Sequence, residues 1–162
     1  MEPQDLIRMA RNTLRTQGEK ARKSILMLSD EDVNWRPNDD SNAIANLVLH
    51  IAGHLHQRVG SLIGGAPDRR DRDAEFEDRR PRTREELVQI LDDAVSEADR
   101  VLAEMDPAQL DRQVEVRGRT QTLADIVFFA ATHTSEHVGQ IIYIAKLKLG
   151  AGFGTLSTPR RR

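Results

Sequence analysis

Histidines are the residues of this chain best suited to chemistry. There are five, His50, His54, His56, His133 and His137, and four of them form i,i+4 pairs, 50/54 and 133/137. On a helix that step stacks two side chains on one face, with Cβ atoms about 5–6 Å apart. Two imidazoles placed this way can converge on one divalent ion at nitrogen–metal distances of about 2.0–2.1 Å. The chain has no cysteine, which excludes disulfides, thiolate ligands, iron–sulfur clusters and a cysteine nucleophile. Imidazole without thiolate suits Zn, Ni, Fe or Mn and does not select sharply among them. A site of three protein ligands keeps an open position, as catalytic sites do and closed structural sites do not.

At about 100° per residue, His133 and His137 project into the apolar stripe of their segment, beside Ala130 and Ile141. Stacked core imidazoles each need partners for their ring nitrogens, and they repel if both protonate. A shared ion removes both difficulties; two separately hydrogen-bonded histidines are the alternative. A third ligand must come from the segment of His50 and His54. The helical wheel sets His54 nearer that segment's stripe and His50 toward its margin, so the geometry leans to His54 and leaves both open. His56 points away, as a surface residue.

The elements that must position these residues follow from apolar periodicity and capping signals. A first helix spans about residues 5–28, with Leu6, Ala10, Leu14, Ala21, Ile25 and Leu28 on one face. Ser29 to Asp32 has capping-box spacing, and Pro37 with the polar run 38–42 reads as a turn. A second helix spans 42–63, with Ile44, Val48, Ile51, Leu55 and Leu62 on its stripe, and ends at Gly64-Gly65-Ala66-Pro67. Thr83 and Glu86 open a third helix that runs to Met105, and Thr122 with Asp125 opens a fourth that stops at Gly150. Residues 110–121 read as a loop with a short extended piece at Val114-Glu115-Val116 and a turn at Gly118.

Residues 68–82 are almost wholly charged, with Phe76 their one large apolar side chain. They read as a solvated crossover, too polar to pack, and long enough for the third helix to lie beyond an adjacent position. The expected fold class is all-α, a four-helix bundle with this crossover between helices 2 and 3. It forms a single domain over residues 1–162, with 151–162 as a flexible tail.

Composition narrows the function. The net charge of −2 gives no basic field to draw in nucleic acid, and acidic residues interleave with the arginines, as in Asp71-Arg72-Asp73. Arg160-Arg161-Arg162 reads as a frayed end. No segment is apolar and long enough to span a bilayer, and the N-terminus lacks the regions of a secretory signal, so a cytoplasmic location is expected. No Ser-His-Asp set, phosphate-cradling loop or nucleotide fingerprint competes with the histidines. Gly150-x-Gly152-x-Gly154 follows a helix and lacks the strand-to-helix context of a dinucleotide site.

Residues 41–53, Ser41-Asn42-Ala43-Ile44-Ala45-Asn46-Leu47-Val48-Leu49-His50-Ile51-Ala52-Gly53, preceded by Asn34-Trp35-Arg36-Pro37, are similar to the helix-2 region of the DinB-like family of small bundles. His133-Thr134-Ser135-Glu136-His137-Val138-Gly139-Gln140-Ile141 resembles that family's helix-4 signature. The resemblance covers nearly the whole chain and is strongest to an uncharacterised branch. It implies a metal held by His50, His133 and His137, which overrides the wheel's leaning to His54. It also implies a homodimer and a small-molecule substrate. The open position would take water or a low-molecular-weight thiol, so a metal-dependent enzyme is expected, with thiol S-transfer ahead of hydrolysis.

His54 is an addition to the family pattern, a bystander first, and otherwise a fourth ligand or a partner behind the ligands. Glu136 departs from the aromatic or small residue of many members, and is either solvated or orients a histidine. Gln140, one turn past His137, polarises a ligand or water, or bonds another helix. Trp35 packs the connection between the first two helices or walls the substrate cleft; Arg36 makes a surface ion pair or binds an anionic substrate there. Two other classes stay open. A non-catalytic, stress-related metal module needs no acid or base beside the ion, and none is obvious here. A metal-free interaction protein requires the histidines to be separately hydrogen-bonded.

Overall fold

The computed structural model describes residues 2–156; the basic tail at 160–162 lies outside the described residues. Four long helices carry the core: α1 (Pro3–Leu26), α3 (Ile44–Leu55), α5 (Arg84–Glu104) and α6 (Leu123–Leu149). Both α1 and α3 pack against α5 and α6, which makes α1 and α3 opposite corners of the bundle. The fold is all-α apart from one β-hairpin, as the periodicity predicts. One face of each long helix is buried: Ala10, Leu14, Ala21 and Ile25 on α1; Ile44, Val48, Ile51 and Leu55 on α3; Leu87, Leu91, Ala94, Ala98 and Leu102 on α5; Ile126, Val127, Ala130, Val138 and Ile141 on α6. Of the residues the periodicity places on the first two stripes, Leu6 and Leu62 are only half-buried. A short α2 (Asp30–Asn34) starts on the full Ser29/Asp32 capping box, and α6 starts on the Thr122/Asp125 box.

Four regions differ from expectation. The crossover packs. Within it α4 (Arg72–Glu77) starts on the Asp71 side chain, and Glu75 and Arg82 are buried. Its buried charges are paired, Glu75 with Arg70, and Arg82 with Asp78 and with Glu86 at the start of α5. Nor does its length carry α5 past α3, because these two helices are direct neighbours. The second helix is not one straight α-helix either: after Leu55 it widens into a π-helical turn, His56–Ser61. Residues 110–122 include a hairpin of β1 (Gln113–Val116) and β2 (Arg119–Thr122). Arg117 and Gly118 both have positive φ, at 51° and 72°, as a two-residue hairpin turn requires. Finally, the start of the expected tail is ordered onto the bundle: residues 150–153 form a 3-10 turn and Phe153 is buried.

Asn46 fixes α4 to α3. It sits three residues past the N-cap, where its Oδ1 accepts from the Ala43 amide at 3.3 Å. Its amide nitrogen donates to the carbonyls of Glu75 at 2.9 Å and Asp78 at 3.0 Å. One buried side chain thus starts α3 and pins the C-terminal end of α4 one turn before His50.

Candidate metal centre

His50 on α3 and His133 and His137 on α6 come together across the α3–α6 contact. The Nε2 atoms of His50 and His133 are 3.0 Å apart, and those of His137 and His133 are 3.2 Å apart. One nitrogen from each ring lies within 4.8 Å of the others. The opposite side of each ring is engaged elsewhere. His50 Nδ1 is 2.8 Å from the Glu75 carboxylate, His137 Nδ1 is 2.8 Å from Gln140 Oε1, and His133 Nδ1 is 3.7 Å from the Glu136 carboxylate. A carboxylate only accepts, so the Glu75 contact, shorter than the 3.2 Å from Arg70 Nη2 to the same nitrogen, favours the His50 proton on Nδ1. The amide oxygen of Gln140 does the same for His137. Their Nε2 lone pairs therefore face His133 Nε2 at hydrogen-bond range, and His133 has a single proton to share between them. A cation relieves that crowding. Tetrahedral coordination at about 2.0–2.1 Å per bond sets neighbouring nitrogens about 3.3 Å apart, within a few tenths of the two separations to His133, so the donor set could hold a divalent ion.

The support behind His50 is a chain of charge. Arg70 grips Glu75 with Nε on Oε1 at 2.7 Å and Nη2 on Oε2 at 2.9 Å. Burial pushes the Glu75 carboxyl up, but hydrogen bonds from Arg70 and His50 outweigh it and hold it below its ordinary value. The ionised form that orients His50 is thereby favoured. Gly53, one turn after His50, makes room for this pair: a Cβ there would stand 2.0 Å from Glu75 Oε1 and 3.2 Å from Arg70 Nε. Phe76 covers the other side of the ring, with centroids 4.7 Å apart. None of Glu75, Arg70 and Phe76 was singled out from the sequence as a site residue. Their one visible signal was Phe76, an aromatic residue inside a run of charges.

His54 is buried one turn after His50, and among the described residues its Nε2 has no hydrogen-bond partner. Its ring lies 4.3 Å from that of His133 and edge-on to Phe129 at 5.3 Å. Burial, followed by the nearby charge of His133, drives its pKa down to about 2, and burial with the charges of His137 and His50 takes His133 to about 4. Burial also lowers His137, against the opposing bond from Gln140. Neutral imidazoles are the state that binds a metal.

Other expected residues fall differently. His133 and His137 lie at the margin of the α6 stripe, half-buried, where solvent can reach them. Glu136 is 67% exposed, at the edge of His133. Gln140 bonds His137, on its own helix. His56 is half-buried on Glu97 at 3.0 Å, which raises its pKa. Among the described residues Arg36 makes no ion pair: it donates to Ser41 O, Asn46 Oδ1 and Asp78 O, tying the α2–α3 connection to the crossover. Trp35 lies under Lys148 Nζ, 4.5 Å from its ring centroid, and lines a cavity of about 520 Å³ with Asn34, Arg82 and Glu86 that includes none of the histidines.

A helical bundle with three imidazoles converging between adjacent helices defines a class, and solved structures of that fold are similar to this chain. A conserved protein of Enterococcus faecalis is 16% identical with a TM-score of 0.75, over 93% of this chain and 99% of its own. The DinB-like protein YjoA of Bacillus subtilis is 17% identical with a TM-score of 0.66, over 86% and 92%. A DinB-like protein of Bacillus cereus is 13% identical at 0.64, over 83% and 87%. At these identities the likeness is one of fold, and the fold is DinB-like. Residues 2–162 match the family described as protein of unknown function (DUF1572), and the chain belongs to it. Among curated proteins, none matches.

Proposed function

We propose that the protein is a metal-dependent enzyme in which His50, His133 and His137 hold one divalent ion, Zn, Ni, Fe or Mn, and leave part of its coordination sphere to a substrate. The observation behind this reading is the convergence of three Nε2 atoms whose Nδ1 sides face Glu75, Glu136 and Gln140. Separately hydrogen-bonded histidines, which a metal-free interaction protein requires, would not point their free nitrogens at one another.

A divalent ion there would make a thiol or water on its open side more acidic. Of the two, thiol S-transfer is favoured by what the chain lacks near the triad. Glu75 is committed to Arg70 and His50, and Glu136 is exposed at the edge, so neither carboxylate is placed as a base for water or as an acid for a leaving group. A low-molecular-weight thiol brings a nucleophile of lower pKa than water, and the chain supplies no cysteine of its own. The protein's part is to hold, orient and desolvate. Glu75 and Gln140 set the tautomers, and Phe76 and Phe129 shield the rings.

Elemental analysis of protein purified without a histidine tag, beside His50→Ala, His133→Ala and His137→Ala, tests the reading. About one equivalent of metal is expected, lost in each variant while helical circular dichroism persists. Full metal content in His137→Ala, or none taken up by the wild type on reconstitution, would remove the assignment. Thioether formation from a small thiol and an aryl halide, dependent on the metal, then separates S-transfer from hydrolysis of ester and amide probes.

A further inference from the structure

The π-helical turn that follows α3 has a consequence for Arg58. This residue is 8% exposed, and its Nε is buried without a hydrogen-bond partner. Its Nη1 donates to the side-chain oxygen of Gln121 on β2 at 3.2 Å, a neutral acceptor. Its guanidinium carbon lies 5.7 Å from the centroid of the Phe129 ring. The other face-to-face neighbour of Phe129 is His133, with centroids 5.0 Å apart and planes inclined by 21°. Arg58 therefore stands one aromatic ring away from a candidate metal ligand.

The two other arginines whose side chains are buried to this degree are paired. Arg70 is matched by Glu75, and Arg82 by Asp78 and Glu86. Among the described residues Arg58 has no carboxylate within ion-pair distance, and the charges that bear on it, Arg117 and Arg70, are positive. Burying an unpaired guanidinium carries the desolvation penalty of one ion. Neither Gln121 nor the ring of Phe129 offsets that as an anion does. Gln121 is half-buried and Phe129 is exposed, so the guanidinium lies beneath side chains that solvent reaches. Arginine is also the side chain whose planar fork matches a carboxylate or phosphoryl group in two parallel hydrogen bonds.

We propose that the substrate of the histidine site carries an oxyanion, either a carboxylate or a phosphoryl group, and that Arg58 binds it. The inference rests on the metal reading for the substrate's second point of attachment. It makes Arg58 a specificity-determining residue: the reacting group reaches the open side of the triad, and the anion sits across Phe129 from it.

Calorimetric titration of zinc-loaded protein with inorganic phosphate and, separately, with acetate is the test, and the stronger of the two identifies the kind of oxyanion. Arg58→Met is expected to weaken the better anion at least about tenfold, with Arg58→Lys in between and zinc content unchanged. If Arg58→Met fails to fold, Gln121→Glu decides. It offers the guanidinium a carboxylate in place of an amide, so it is expected to raise the melting temperature and to weaken anion binding to a similar extent. Wild-type protein that binds neither anion, or equal affinity in wild type, Arg58→Met and Gln121→Glu, would overturn the proposal while leaving zinc binding intact. Failure of the metal reading shows differently, as protein that takes up no zinc. Arg58-dependent phosphate or acetate binding by that protein would still support the anion site.

Discussion

Glu75 decides which nitrogen of His50 faces the other two imidazoles. Its carboxylate accepts from Nδ1 at 2.8 Å and is itself fixed by Arg70, whose Nη2 stands farther from that nitrogen at 3.2 Å, so the shorter contact favours the His50 proton on Nδ1. Partners behind a metal ligand commonly set a 10–100-fold span of affinity. Glu75→Gln keeps the shape and loses the charge, and its amide can present an N–H to Nδ1 as readily as an oxygen. The expected outcome is metal affinity lower by about 10–100-fold, with His50 still in place, as read by competition with a chromogenic chelator. Affinity equal to wild type would mean that Glu75 only neutralises Arg70. The sequence displays the histidines, because a repeated i,i+4 spacing is visible along a chain. It does not display Glu75, which is one of 26 acidic residues and is distinguished only by being folded back onto α3. Arg58 is hidden in the same way until its missing partner can be seen.

At the scale of elements, the long helices are legible and their departures from ideality are not. Apolar residues at three- and four-residue steps mark α1, α5 and α6, because burying one face is what holds a helix in a bundle. The same reasoning fails for the crossover, whose packing is carried by Arg70–Glu75, Arg82–Asp78 and Asn46, all residues that composition counts as solvated. It also sets His50 too far toward the margin. A wheel counts only the apolar stripe of the helix, and the α4 region folds back onto α3 and brings Glu75 to His50, which buries that side as well. Within α3 both His50 and His54 are buried, and contact with Glu75 sets His50 apart. Gly53 belongs to this account. Glycine inside a helix costs about 1 kcal/mol relative to alanine, and here it admits Glu75 where a Cβ would collide. Gly53→Ala is therefore expected to leave helical content unchanged or slightly raised, while metal affinity falls as Glu75 is displaced. Its effect should not add to that of Glu75→Gln, because both act through one contact. Additive losses in the double variant would show that the alanine disturbs the site by another route.

At the scale of the molecule, the candidate centre needs α3 and α6 held in register, although its ligands join only these two of the four corners. Part of that constraint is ionic and lies away from the histidines. Arg11 grips Asp99 through two hydrogen bonds, 2.9 and 3.2 Å long, joining α1 to α5, and Lys148 reaches Asp32 at 3.0 Å, joining α6 to α2. The side chains of both pairs are about three-quarters buried, with exposures of 28% and 23% for the first pair and 23% and 27% for the second. In each case the hydrogen bond from the cation is the main force holding the aspartate below its ordinary value of 3.8. A carboxylate whose pKa is lower folded than unfolded stabilises the fold fully above the unfolded value, and this stabilisation fades as pH falls through the folded one. Asp99→Asn should thus cost about 1 kcal/mol at pH 7, toward the upper end for a partly exposed pair because the arginine is bidentate. The gap to wild type should close as the pH falls below 3.8. Urea midpoints of the two proteins at pH 7 and pH 3, each with and without metal, measure it. The aspartate stands apart from the triad, so the same gap is expected whether or not an ion is bound. A gap that persists undiminished at pH 3 would place the stabilisation in the packing of α1 on α5 and not in the charge of Asp99.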